Sequence, residues 1–136
     1  MARRTGIAFL LALALLAAGC GVRNNKPYTA AGSVSCFRTK GFTGVSTSRL
    51  KVGFIAGFAP NGGLVAKSSS GNFLTIAFAA DESEAASTAA AYKRKAPAKL
   101  RPHMADILET QRNAVLVWTV TPSSDDLSTA LGCLHS

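Results

Sequence analysis

Asn72-Phe73-Leu74-Thr75-Ile76-Ala77-Phe78-Ala79, followed closely by Asp81-Glu82-Ser83-Glu84, is the stretch that decides the fold of this chain. Along 72–79 the side chains alternate. Leu74, Ile76 and Phe78 point one way and Thr75, Ala77 and Ala79 the other, the period of two that belongs to a β-strand. Asp81 with Glu84 three positions later is a capping-box-like start for an alanine-rich helix that runs to about Lys95. The helix stripe Ala85, Ala89 and Tyr92 allows close packing on a sheet.

Upstream of this strand, Leu64 to Lys67 completes a hairpin across Ser68-Ser69-Ser70-Gly71, preceded by a turn at Asn61-Gly62-Gly63. Leu50 to Phe58 is apolar but broken by glycine, and reads as a strand or as irregular chain. Phe42 to Ser48 reads as a strand. Ala30 to Lys40 reads two ways: a helix ending at Gly41 with Val34 and Phe37 on one side, or a strand on its Ser and Thr content. Downstream, Pro97 and Pro102 punctuate a linker, and Asp106–Gln111 with Ala114–Val120 form a second hairpin turning at Arg112-Asn113. Leu116, Trp118 and Val120 share one face of it, Val115 and Val117 the other. Pro122 to Asp126 opens a last helix, its first-turn acids suiting the dipole, with Leu127, Leu131 and Leu134 as the expected buried stripe. The sum is an α+β fold: a two-layer sandwich with a mostly antiparallel sheet and about three helices packed on one face.

The chain has 136 residues, a net charge of +8, 48% apolar residues, three cysteines and two histidines. One modest domain fits that length; a multidomain enzyme or a solenoid does not. The composition is too apolar for a disordered chain and too poor in cysteine for a disulfide-dense miniprotein.

The N-terminus is organised differently from the rest. Met1-Ala2-Arg3-Arg4 is a short basic segment, and Ile7 to Ala18 is a run of 12 residues without a polar side chain. That is the length of a signal-peptide core; a membrane span needs roughly 20 residues. The run ends in Leu16-Ala17-Ala18-Gly19-Cys20. This resembles the lipobox of bacterial membrane lipoproteins, with Ala17 where Leu is preferred. The Arg3-Arg4 pair sits before Thr5-Gly6-Ile7, a poor match to twin-arginine export, so the general secretory route is expected. The resemblance implies that 1–19 is removed as a signal peptide and that Cys20 is lipidated. The protein would then be held on the outer face of the bacterial cell membrane, or at the outer membrane of a two-membrane envelope. Two or more acyl chains hold stably where one is marginal, at about 0.8 kcal/mol per buried methylene. Residues 20–29 would then be a polar tether and 30–136 a single domain. In element order that domain is similar to small secreted α+β domains of uncharacterised bacterial lipoproteins, with no motif to carry an activity.

With Cys20 committed to lipid, Cys36 and Cys133 remain in an oxidising compartment, and an even remainder there reads as one disulfide. It would make the first and last helices neighbours. Charge is uneven after processing: no Asp or Glu occurs before Asp81, whereas Arg23, Lys26, Arg38, Lys40, Arg49, Lys51 and Lys67 all do. Such a half is drawn toward anionic headgroups, or simply solvates a small surface. Export argues against nucleic acid as a partner, and the cations are not interleaved with aromatics.

Motifs for chemistry are few. There is no Gly-x-Ser-x-Gly elbow. Gly57 to Gly62 has the glycine spacing of a phosphate loop, but Gly63 stands where lysine is required. His103 and His135 lack local partners for a metal site; the seven carboxylates cluster at helix starts, where capping accounts for Asp81, Glu84, Asp125 and Asp126, and Asp106 and Glu109 lie away from them. No catalytic residue, metal or cofactor is therefore expected. Lys93, Arg94, Lys95, Lys99 and Arg101 form the densest cluster, read either as a complement to the helix C-terminus or as an anion-binding patch for lipid or envelope polymer. A last expectation is geometric. If the helices lie on one face, the other is too apolar to face water. It would be covered by a protein partner, by a second copy, or by the 50–63 segment. The function expected is a lipid-anchored, non-catalytic binding module; an apolar-ligand carrier, or less favourably a small envelope hydrolase or transferase, is the alternative.

Overall fold

The computed structural model describes residues 25–136; the expected signal peptide 1–19 and the expected lipidation site Cys20 lie outside the described residues. Five strands form one antiparallel sheet: β1 (Thr43–Ser46), β2 (Gly63–Lys67), β3 (Phe73–Phe78), β4 (Leu108–Gln111) and β5 (Ala114–Trp118), in the order β1-β2-β3-β5-β4. Both expected hairpins are present, with Ile76 opposite Leu64 on one side and Leu116 on the other. Thus the deciding strand β3 is central, and its two alternating sets of side chains both meet neighbours.

Five helices accompany the sheet: α1 (Ala30–Thr39), α2 (Arg49–Gly57), α3 (Glu82–Lys95), the single turn α4 (Met104–Ile107) and α5 (Ser124–Gly132). The N-caps follow from sequence. Thr29 accepts from the Gly32 N–H, Asp81 from the Glu84 N–H and Ser123 from the Asp126 N–H. Glu84 reaches back to the Ala80 N–H at 2.7 Å, a displaced form of the capping box. Of the two readings of 30–40, the helix is the one adopted.

The sheet and the α1–α5 pair make the expected sandwich layer, and Cys36–Cys133 joins that pair with a Cα–Cα separation of 5.2 Å. Phe37, Leu64, Leu74, Ile76, Phe78, Leu116, Trp118 and Ala130 form one core there. The remaining long helices do not join them. Ala85 and Ala89 of α3 pack on Val115, and Val52 and Ala56 of α2 pack on Ala77, all from the other side of the strands. The cause is in the strands: β3 and β5 are apolar at successive positions, and such strands require cover on both faces. Of the three covers expected for this face, a partner, a second copy or the 50–63 segment, the structure has the 50–63 segment there, joined by α3.

Two details differ from expectation. Residues 49–57 are helical, but Gly53 breaks the helix at φ 81° and ψ 174°, a region essentially reserved for glycine. Two apolar turns hinged at a glycine look like neither helix nor strand by periodicity. Gly63 then admits α2 to the sheet, since a Cβ there would lie 2.6 Å from the Ala56 carbonyl. In α5 the buried side chains are Asp126 and Ala130, followed by Cys133 and Leu134 just past its end, while Leu127 and Leu131 are only half-buried. The disulfide and a hydrogen bond from Ser70 to the Asp126 carboxylate set that rotation. Asp126 is therefore a cross-link to the β2–β3 turn rather than one of the capping acids.

Candidate functional site

The end of the chain nearest the expected anchor is pinned to the body. Asn113 is buried; its carbonyl accepts from the Tyr28 N–H, and its amide donates to the Tyr28 and Ala79 carbonyls. Arg112 takes a positive φ of 52°, donates to the Lys26 carbonyl and lies over the Tyr28 ring at 4.4 Å. Residues 25–29, expected as part of a free tether, thus lie against the β4–β5 turn.

Across the α2–α3 side of the sheet the cover is incomplete. Small residues at Ala85 and Ala89 bring one end of α3 close, but the hinge at Gly53 diverts α2. Between them is an open trough of about 580 Å³ with a mostly apolar wall, including Val52, Ile55, Thr75, Ala91 and Val117. A second recess of about 330 Å³ continues past the end of α3 toward Leu100, Met104 and Trp118. The two share Tyr92, Lys95 and Val117, and Lys95 is the one charged side chain in either lining. Burial pushes the Tyr92 phenol up to about 12, opposed by the Ala56 backbone, so it is a neutral hydroxyl at any physiological pH. The buried Trp118 indole N–H has no hydrogen-bond partner among the described residues.

Along α2 and its C-cap, large apolar side chains are exposed, and one of them, Phe54, also borders the trough. Leu50 is 98% exposed, Phe54 80% and Phe58 70%, and the two phenyl rings lie with centroids 5.0 Å apart. Arg49 and Lys51 are exposed beside them. Sequence reasoning missed this surface. Its signal is the spacing of four between Phe54 and Phe58, which Gly57 obscures, with Leu50 in the turn before the Gly53 break.

The other candidates separate. Lys93, Arg94, Lys95, Lys99 and Arg101 are all exposed at and beyond the end of α3; Arg101 bonds the Ala96 carbonyl and Lys95 reaches the trough. His103, Asp106, Glu109 and His135 are exposed. The 57–62 loop spends the Asn61 and Gly62 N–H groups on the Phe78 and Ala59 carbonyls, and so cradles no phosphate with them. Ser68, Ser70 and Asp126 form a hydrogen-bonded chain that ties the β2–β3 turn to α5. Among the described residues no group of three or more His, Cys, Asp or Glu could hold a metal ion. No family model, curated protein or solved structure matches the chain.

Proposed function

We propose that this protein is an exported, lipid-tethered binding module that performs no catalysis, held by Cys20 to the outer face of a bacterial membrane. The observation that carries the binding role is the outer surface of α2. A domain of this size that buries Trp118, Phe37 and Phe78 fully, yet leaves Leu50, Phe54 and Phe58 in water, has an apolar surface intended for contact. The Cys36–Cys133 bond supports export, because such bonds persist in oxidising compartments. The commitment of Asp81 and Glu84 to the α3 cap, and of Asp126 to Ser70, supports a role without acid–base chemistry.

Two measurements test this. Cys20→Ser moves the protein out of the membrane fraction; unchanged retention overturns the tether. A photo-crosslinking amino acid replacing Phe54 gives adducts in the intact envelope, and the same group replacing Ser128 on α5 gives none; equal yields overturn α2 as the contact surface.

The trough favours one further reading, a carrier of an apolar ligand. Its volume falls within the roughly 300–1,000 Å³ of small-molecule sites. N-phenyl-1-naphthylamine would then bind with saturation, and Ala91→Phe would abolish that binding by filling the wall. Linear, unsaturable fluorescence in the unaltered protein overturns it.

A further inference from the structure

We infer that the outer surface of α2 docks on an anionic phospholipid bilayer, with Leu50, Phe54 and Phe58 entering the interface and Arg49 and Lys51 meeting the headgroups. This rests on the tethered reading above and names the partner of that same surface. The exposed side chains have the chemistry of an interfacial segment: apolar and aromatic groups at the centre, cations at the flank. Nothing negative opposes them nearby in the chain, since residues 25–80 contain no Asp or Glu, and Lys95 adds a further cation from α3 at the trough.

Position supplies the second argument. Asn25 lies beside Ala80, Asp81 and Glu82, and it is five residue steps from Cys20, at most about 18 Å of chain. The loop that follows Phe58 belongs to the same end of the molecule: Asn61 donates to the Ala79 carbonyl at 2.7 Å, and its own carbonyl accepts from the Ala30 N–H at 3.0 Å. Because Tyr28 and Lys26 are fixed to the Arg112-Asn113 turn, the short tether limits how far that end can turn from the lipid. A bilayer at Cys20 would therefore lie at the end of the molecule to which the loop after Phe58 belongs.

Binding free energy here is the sum of buried apolar area and about 1 kcal/mol for each cation near the surface, so each lost cation costs roughly fivefold in partitioning. The test uses the full chain reconstituted with vesicles whose acyl chains carry bromine, either phosphatidylcholine alone or mixed with phosphatidylglycerol. Phe54→Trp introduces an indole at the surface, Ser128→Trp one on α5, and the parent chain reports Trp118, which is buried. The expected result is strong quenching for Phe54→Trp in the mixed vesicles, weaker in phosphatidylcholine, and none for Ser128→Trp or the parent.

The other results each overturn the inference in a distinguishable way. Vesicle-bound protein with an unquenched indole at position 54 leaves the tether standing and removes the docking. Protein that stays with neither vesicle removes both. Equal quenching at 54 and 128 means insertion without a chosen surface. A blue shift for Phe54→Trp that grows with protein concentration without vesicles makes a second copy the occupant.

Discussion

On the face covered by α1 and α5, the strands present Leu64, Leu74, Ile76, Phe78, Leu116 and Trp118; on the opposite face the same strands present Val65, Thr75, Ala77, Val115 and Val117. The first face is closed by bulk and by a disulfide. The second is closed by small residues at one end, where Ala85 and Ala89 let α3 approach, and is left open at the other, where α2 bends at Gly53. Close packing at alanine and glycine positions brings helices near but supplies little volume to fill the space beside them. A cavity and an exposed apolar helix on this face follow from that choice, and stability is concentrated on the other.

The largest way to break this asymmetry is to remove the staple. Replacing Cys36 and Cys133 by serine opens a cross-link spanning 97 residues, for which the chain-entropy model gives about 4.7 kcal/mol, a large share of the roughly 5–15 kcal/mol of a typical domain. Urea unfolding under non-reducing conditions reads this directly; a loss below about 1 kcal/mol would mean that the α1–α5 layer holds by packing alone. Next in size is a matched pair of core truncations. Phe78→Ala costs about 3–5 kcal/mol, while Val52→Ala under α2 costs about 1–2 kcal/mol. Equal costs would show that the open face is as load-carrying as the closed one.

A smaller effect is confined to alkaline pH. The folded protein retains the Tyr92 proton to about pH 12 because burial disfavours the phenolate, whereas an unfolded chain releases it near 10. Stability from this group is whole below about pH 10 and is lost as pH rises through about 12. Tyr92→Phe should accordingly lose less stability than the parent between those values in parallel urea melts. Superimposable pH profiles would mean that the phenol is already hydrated in the trough.

How much of this could be read beforehand depends on how local the signal is. The β3 strand, the Asp81 cap, the Arg112-Asn113 turn and both hairpins are written in alternation, side-chain oxygens and turn residues within a few positions, and all are present. Pairing of Cys36 with Cys133 followed from counting thiols once export was inferred. What escaped depends on distant partners. The rotation of α5 is set by Ser70, 56 residues away from Asp126. The helical state of 49–57 requires Gly63 to leave room for Ala56, and no periodicity reports a vacancy on another element. The trough was illegible for the same reason, since its walls come from α2, α3, β3 and β5.

The smallest expected effect is the most discriminating. Phe54 and Phe78 are the same residue type on the same chain, yet one is 80% exposed and the other fully buried. Phe54→Ser removes a ring that meets Phe58 and borders the trough but is 80% exposed, so its stability cost in detergent-free buffer should be about 0.5 kcal/mol, in the range of ordinary surface changes. The contrast with Phe78→Ala then isolates what the exposed ring is for. If Phe54→Ser keeps the urea midpoint but loses membrane-surface contact, the ring serves binding. A cost near that of Phe78→Ala would instead place Phe54 in a folded layer, its outward position in α2 being the state of a helix that closes over the trough under native conditions.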